Sequence, residues 1–162
     1  MKTLLILRHA KSDWGDASLP DHDRSLSKRG KVDAPRMGEL IREQGLMPNL
    51  ILSSTAKRAR RTAELAAEGC GYEGEILLSR DMYDAGPEEY IEAINVMAEN
   101  EEILMVVGHN PGMEELVDVL TDESVTMTTA NLAQIELPIQ SWRDLREHPG
   151  GKLLNLWRPK EL

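Results

Sequence analysis

The sequence predicts an α/β domain built on a mostly parallel central sheet, and three observations predict it. Short apolar runs alternate along the chain with longer segments of helical periodicity. The runs are bounded by polar residues and turn signals, as strands buried on both faces are. At 162 residues the chain matches the usual size of one domain with a sizeable core. No repeat, low-complexity tract, second domain or lid-like insertion is visible, so residues 1–162 are expected to form one domain.

The elements follow in order. Thr3–Leu7 reads as the first strand, and Lys11–Ser27 as a polar loop rich in Asp and Ser. Ser27 is suited to cap a helix running to about Glu43, with Pro35 expected to kink or break it and Gly45 and Pro48 to stop it. Leu50–Ser54 is a second short strand. Ser54 or Thr55 then caps a helix carrying Lys57, Arg58, Arg60 and Arg61 to about Ala67. Glu75–Leu78 reads as a strand, Pro87–Ala98 as an amphipathic helix with Pro87 in its first turn, and Glu102–Val107 as a strand. Pro111 or Gly112 opens a helix through Leu120. Two further strands, Ala133–Leu137 and Lys152–Trp157, flank a polar link with the turn signal Pro149-Gly150-Gly151.

Composition narrows the function. Aromatic residues are scarce and Phe is absent, which leaves the core to Leu, Ile, Val, Met and Ala. A net charge of −9 argues against a nucleic-acid partner, yet leaves room for a small phosphate held by local arginines. The single Cys70 excludes an internal disulfide; it is expected in a turn between Gly69 and Gly71, with no Cys/His metal spacing around it. The N-terminal apolar stretch is too short for a signal peptide and no segment reaches membrane-spanning length, so a cytoplasmic protein with no membrane partner is expected.

Two strands end on a histidine. Leu4–Leu7 runs into Arg8-His9, and Met105–Val107 runs into Gly108-His109. Ligands of open α/β sheets bind beyond the carboxyl ends of the strands, which places both histidines where a substrate would sit. Arg58 lies near a helix start, where free N–H groups attract anions. Arg8 and Arg58 can each grip phosphate oxygens through paired donors. His9 Nε2 can attack phosphorus if its Nδ1–H is held by a backbone carbonyl, with His109 and the arginines stabilising the equatorial oxygens. Taken singly these features are commonplace. A basic cluster is ordinarily a solvated helix face, and Gly108 and Gly112 can serve turn geometry alone. Their convergence on one sheet edge is the stronger signal.

These residues resemble three ordered motifs of the histidine phosphatase, or phosphoglycerate mutase-like, superfamily. Leu7-Arg8-His9-Ala10-Lys11-Ser12 resembles its Arg-His-Gly signature, Ser53–Ala63 the segment bearing the phosphate-binding arginine at Arg58, and Val107-Gly108-His109-Asn110 the segment bearing the second catalytic histidine. Ala10 after the Arg-His pair, the Asp23–Gly30 segment, the Gly108–Gly112 segment and the short length are similar to the small SixA-type phosphohistidine phosphatases. The resemblance implies a three-layer α/β/α sandwich and a transient phosphoryl group on His9, with no cofactor and no metal. It implies a phosphorylated protein or small molecule as partner, and a monomer is expected. Relatives take a proton donor from an inserted segment. Here Asp84 is the candidate general acid, with Asp13 and Glu88 weaker ones. Phosphohistidine expels imidazole, a good leaving group when protonated and with a conjugate-acid pKa of about 6.5, so a P–N phosphatase tolerates a weak or absent acid. A general phosphomonoesterase for metabolites or nucleotides is the alternative, and a non-catalytic phosphoprotein-binding module a third reading. A mutase needs a lid to exclude water, which no segment supplies.

Overall fold

The computed structural model describes all 162 residues. Its six strands are β1 (Lys2–Arg8), β2 (Leu50–Ser54), β3 (Ile76–Ser79), β4 (Ile103–Gly108), β5 (Leu132–Leu137) and β6 (Lys152–Trp157). Its four α-helices are α1 (Lys28–Glu43), α2 (Lys57–Cys70), α3 (Pro87–Met97) and α4 (Gly112–Thr121). The strands form one sheet in the order β3-β2-β4-β1-β5-β6. The pairs β1–β4, β2–β4 and β2–β3 are parallel, and β5 runs antiparallel to both its neighbours. Only β5 therefore runs against the common direction.

The pleat divides the core in two. On β1, Leu4 and Ile6 face one cluster while Leu5 and Leu7 face the other; on β4, Leu104 and Val106 part from Met105 and Val107 in the same way. The first cluster is closed by α3, α4 and Trp142, the second by α1 and α2. This is the three-layer sandwich of a sheet buried on both faces, and it explains why the central strands read as continuous apolar runs.

Several local expectations change. Helix α1 continues unbroken through Pro35. Proline removes one helical N–H bond, but Ala34 and Gly38 bury this part of α1 against α2, and tertiary packing outweighs the loss. A Cβ at Gly38 would collide with the Ala66 carbonyl and one at Gly69 with the Pro35 carbonyl, so the two backbones touch. Cys70 is not in a turn: it is the last residue of α2 and buried, and Gly71, at φ +82°, ends the helix. Neither Ser54 nor Thr55 caps α2, whose N-cap is Ala56; both hydroxyls are engaged elsewhere, Ser54 with His109 and Thr55 with His22. Gly108 and Gly112 do not serve a left-handed turn. Gly108 makes room for the Tyr90 ring, and Gly112 for the Ala85 carbonyl and the other edge of that ring, onto which a Cβ would press. No helix is long and apolar enough to cross a membrane.

Candidate active site

Register fixes the geometry. Arg8 pairs with Gly108 across β1 and β4, so His9 and His109 leave adjacent strands at the same level. On the other side of β4, Ser53 pairs with Val107, which sets Ser54 beside His109. The rings of His9 and His109 lie 5.1 Å apart, tilted by 51°. Arg8, His9, Arg58 and His109 all line one cleft of about 560 Å³ at this edge of the sheet. Thr62 ties two of its walls together: the Ala10 N–H donates to Thr62 Oγ1 at 2.9 Å, and the threonine hydroxyl donates to the Arg58 carbonyl at 2.7 Å.

Each histidine is fixed through one ring nitrogen. His9 Nδ1 lies 2.7 Å from the Ala10 carbonyl, which can only accept, so Nδ1 carries the proton and Nε2 keeps its lone pair. His109 Nε2 lies 2.9 Å from Ser54 Oγ. Ser54 is buried and its hydroxyl's other partner, the Ala56 N–H at 3.2 Å, can only donate, so His109 Nε2 is the acceptor that takes the hydroxyl proton. The proton on His109 then sits on Nδ1, a buried atom with no partner in the protein. Arg8 Nε is likewise buried and unpartnered, while its Nη1 donates to the Met127 carbonyl at 2.9 Å. Buried donors left free are costly, and a bound oxyanion would satisfy both.

Burial pulls the His9 imidazole down to about 4, with the hydrogen bond to Ala10 opposing and Arg58, Arg8 and Arg24 assisting. Burial likewise takes His109 down to about 3, with His9 and the arginines adding to the effect and Asp21 opposing it. Both rings are neutral at physiological pH, His9 as a lone-pair donor and His109 as an N–H donor.

The polar loop supplies residues that the sequence did not single out. Asp21, in a short 3-10 turn (Asp21–Asp23), accepts from Arg58 at 2.9 Å, Arg24 at 3.0 Å and Tyr83 at 2.6 Å. The Tyr83 hydrogen bond leads the effects that lower its carboxyl to about 2, with Arg58 and Arg24 acting in the same sense against partial burial. Arg24 is itself buried, donates to Ser12 Oγ and carries the ring of Trp14 3.0 Å from its guanidinium carbon. Tyr90, buried and pushed up to about 12 by that burial, accepts the His109 N–H and donates to the Met82 carbonyl. Only the short Asp-rich composition of the loop could have pointed to Asp21.

The candidate acids are not brought to the cleft. Asp84 is exposed, in a left-handed turn at φ 56°, and is absent from the cleft walls. Asp13 binds the Gly15 N–H within its own turn, and Glu88 sits exposed in the first turn of α3. Two carboxylates do line the cleft. Asp21 is held ionised by its donors, and Asp33 pairs with Arg29 at 3.1 Å. Cys70 lies buried at the C-terminal end of α2, outside the cleft, its thiol pushed up by that burial.

The model of the Histidine phosphatase superfamily (branch 1) matches residues 4–82. An uncharacterised chloroplastic protein of Arabidopsis thaliana is 35% identical over 98% of this chain and 78% of its own. The crystal structure of the putative phosphohistidine phosphatase SixA from Agrobacterium tumefaciens superposes with a TM-score of 0.82 at 27% identity, covering 98% of both chains. The structure of the protein histidine phosphatase SixA complexed with tungstate shares the fold, with a TM-score of 0.78 at 20% identity over 98% of both chains.

Proposed function

We propose that this chain, which belongs to the histidine phosphatase superfamily, hydrolyses phosphohistidine on proteins through a phosphoryl group carried briefly by His9. One observation carries the nucleophile's assignment. His9 holds its proton on Nδ1 against the Ala10 carbonyl, so Nε2 faces the cleft as a free lone pair beside two unpartnered buried donors.

In the first step the His9 Nε2 lone pair forms a bond to phosphorus while the bond from phosphorus to the leaving nitrogen breaks. The leaving ring carries a solvent-derived proton on its other nitrogen beforehand, so it departs with the electron pair as neutral imidazole. Arg8, Arg58 and His109 Nδ1–H hold the equatorial oxygens as charge spreads onto them. In the second step a water oxygen bonds to phosphorus, the bond to His9 breaks, and Nε2 regains its lone pair. The water's surplus proton leaves with phosphate or solvent.

The cleft favours a nitrogen leaving group because its walls hold no neutral carboxylic acid. Asp21 is held near 2 and Asp33 is ion-paired. An alkoxide needs a proton donor in the transition state, whereas a phosphohistidine ring already protonated from solvent on its other nitrogen departs as neutral imidazole, whose conjugate acid has a pKa of about 6.5, and needs no acid from the cleft. The arginines can supply the charge that a metal ion gives other phosphatases, and the reaction is proposed to be metal-independent.

A substrate panel with and without chelator tests this. Phosphohistidine peptide is expected to be hydrolysed far faster than alkyl, aryl or nucleotide phosphates, with chelator making no difference, and acid-quenched enzyme should carry label from the substrate on His9. Equal rates on phosphohistidine and alkyl phosphates would move the assignment to a general phosphomonoesterase. Tight binding of phosphopeptide without phosphate release would make the protein a binding module.

A further inference from the structure

We propose that the cleft holds a second anion subsite, formed by Lys11, Arg29 and Lys160, that receives a further phosphate or carboxylate group of the substrate. The inference deepens the phosphatase reading and rests on it.

The charge of the walls is the first observation. The cleft is lined by six Lys and Arg side chains and two Asp side chains, on a chain whose net charge is −9. The phosphoryl site as described uses two of those cations, Arg8 and Arg58. Asp21 answers Arg24 and Arg58, and Asp33 answers Arg29. Lys11 and Lys160 make no ion pair and no side-chain hydrogen bond. Among 28 acidic residues, two lysines left unpaired in one concavity form a local positive field, and a cleft focuses such a field onto an incoming anion.

The second observation is that the shelf beneath them is built. The Lys11 carbonyl accepts from the Ser27 N–H at 2.9 Å and from the Ser27 hydroxyl at 3.0 Å, and Gly30 packs directly on the Lys11 backbone. This fixes Lys11 against the start of α1, whose first turn carries Arg29. Lys160 lies in a C-terminal 3-10 turn (Pro159–Glu161) packed on α1. That turn is anchored where Arg158 Nη1 donates to Oδ1 of the buried Asn131 at 2.6 Å. Three distant parts of the chain thus bring cations to one side of the cleft, their backbones fixed and their lysine heads free.

The chemistry of the two ends differs. Arg8 and Arg58 present planar forks suited to phosphoryl oxygens, while lysine ammonium groups are mobile point charges that accept a carboxylate or a phosphate without fixed geometry. A cleft of about 560 Å³ is also far larger than one phosphoryl group. The substrate class is therefore a phosphorylated group with a second anion close by, whether an acidic side chain beside a phosphohistidine or a second phosphate of a small molecule.

Binding calorimetry with orthophosphate and tripolyphosphate tests the subsite without requiring turnover. The wild-type protein should bind tripolyphosphate at least about tenfold more tightly than orthophosphate, the advantage shrinking as salt is raised. The double variant Lys11→Gln/Lys160→Gln should lose most of that advantage and keep its orthophosphate affinity within about twofold. An unchanged ratio overturns the subsite. Hydrolysis of phosphohistidine peptides with acidic or neutral neighbours identifies the source. Faster turnover of the acidic peptide, removed by the double variant, assigns a carboxylate, whereas a gain confined to tripolyphosphate assigns a second phosphate. Failure of the phosphatase reading registers separately, as turnover by His9→Ala at the wild-type rate with the binding ratio intact.

Discussion

The ends of β1 and β4 present the same residue at the same level of the sheet but secure it differently. His9 is oriented by the carbonyl of the residue that follows it, a main-chain contact no substitution of another side chain removes. His109 is oriented by the Ser54 hydroxyl, 55 positions away, while its backbone is braced by the Tyr90 hydroxyl. The proposed nucleophile is thus set by local chain geometry. The proposed donor depends on two side chains from other elements, and is the part of the site open to adjustment.

The largest expected effect comes from removing the locally fixed ring. His9→Ala should reduce phosphate release by at least about 10⁴-fold, because it removes the one imidazole lone pair in the cleft not engaged by the protein. His109→Ala removes one oxyanion donor and should cost about 10²–10³-fold in kcat, with label still trapped on His9 during slow turnover. Ser54→Ala leaves both rings in place but frees the His109 tautomer, and a loss of about tenfold is expected. Ser54→Thr should restore most of that rate, and nitrogen-resolved NMR of the His109 ring should show the proton no longer confined to Nδ1 in Ser54→Ala. If Ser54→Ala matched wild type in rate and tautomer, the asymmetry between the two histidines would have no functional meaning.

Acid stability probes both histidines together. Their folded values, about 4 and about 3, lie below the unfolded value of about 6.5. Between these limits the unfolded chain binds protons that the folded protein does not, so stability should fall as pH drops from about 6.5, the His9 contribution levelling near 4 and the His109 contribution near 3, where the folded protein also takes the protons up. The slope is on the order of 1 kcal/mol per pH unit for each histidine. Chemical denaturation at several pH values measures it, and His9→Ala and His109→Ala should each flatten the curve. The smallest effect is assigned to Asp84→Asn, which should change kcat by less than about twofold, since Asp84 is exposed outside the cleft.

Arg8, His9 and His109 were legible in the sequence because a buried parallel strand is short and apolar and its end is abrupt, and Arg58 because it stands in the first turn of the helix that follows such a strand. A polar residue directly after such a run belongs to the sheet edge, whatever the loops do. Asp21, Tyr83 and Ser54 were not legible, since their contacts reach 37, 62 and 55 positions along the chain. Those contacts depend on how a polar loop folds across the sheet, which no local pattern encodes. Pro35 and Cys70 misled for a related reason. Proline and flanking glycines carry strong local preferences, yet α1 and α2 press together closely enough for packing to decide both segments.

That pressing together has a metric consequence. Arg58 stands at the start of α2 and Arg29 at the start of α1, and the two helices are locked where Gly38 and Gly69 leave no gap between their backbones. Neither helix can slide without driving carbonyl oxygen into carbon, so the span between the two arginine-bearing ends is a constant of the scaffold. The fold thereby carries a caliper, with jaws set in the cleft and a hinge-free spine more than two helical turns away.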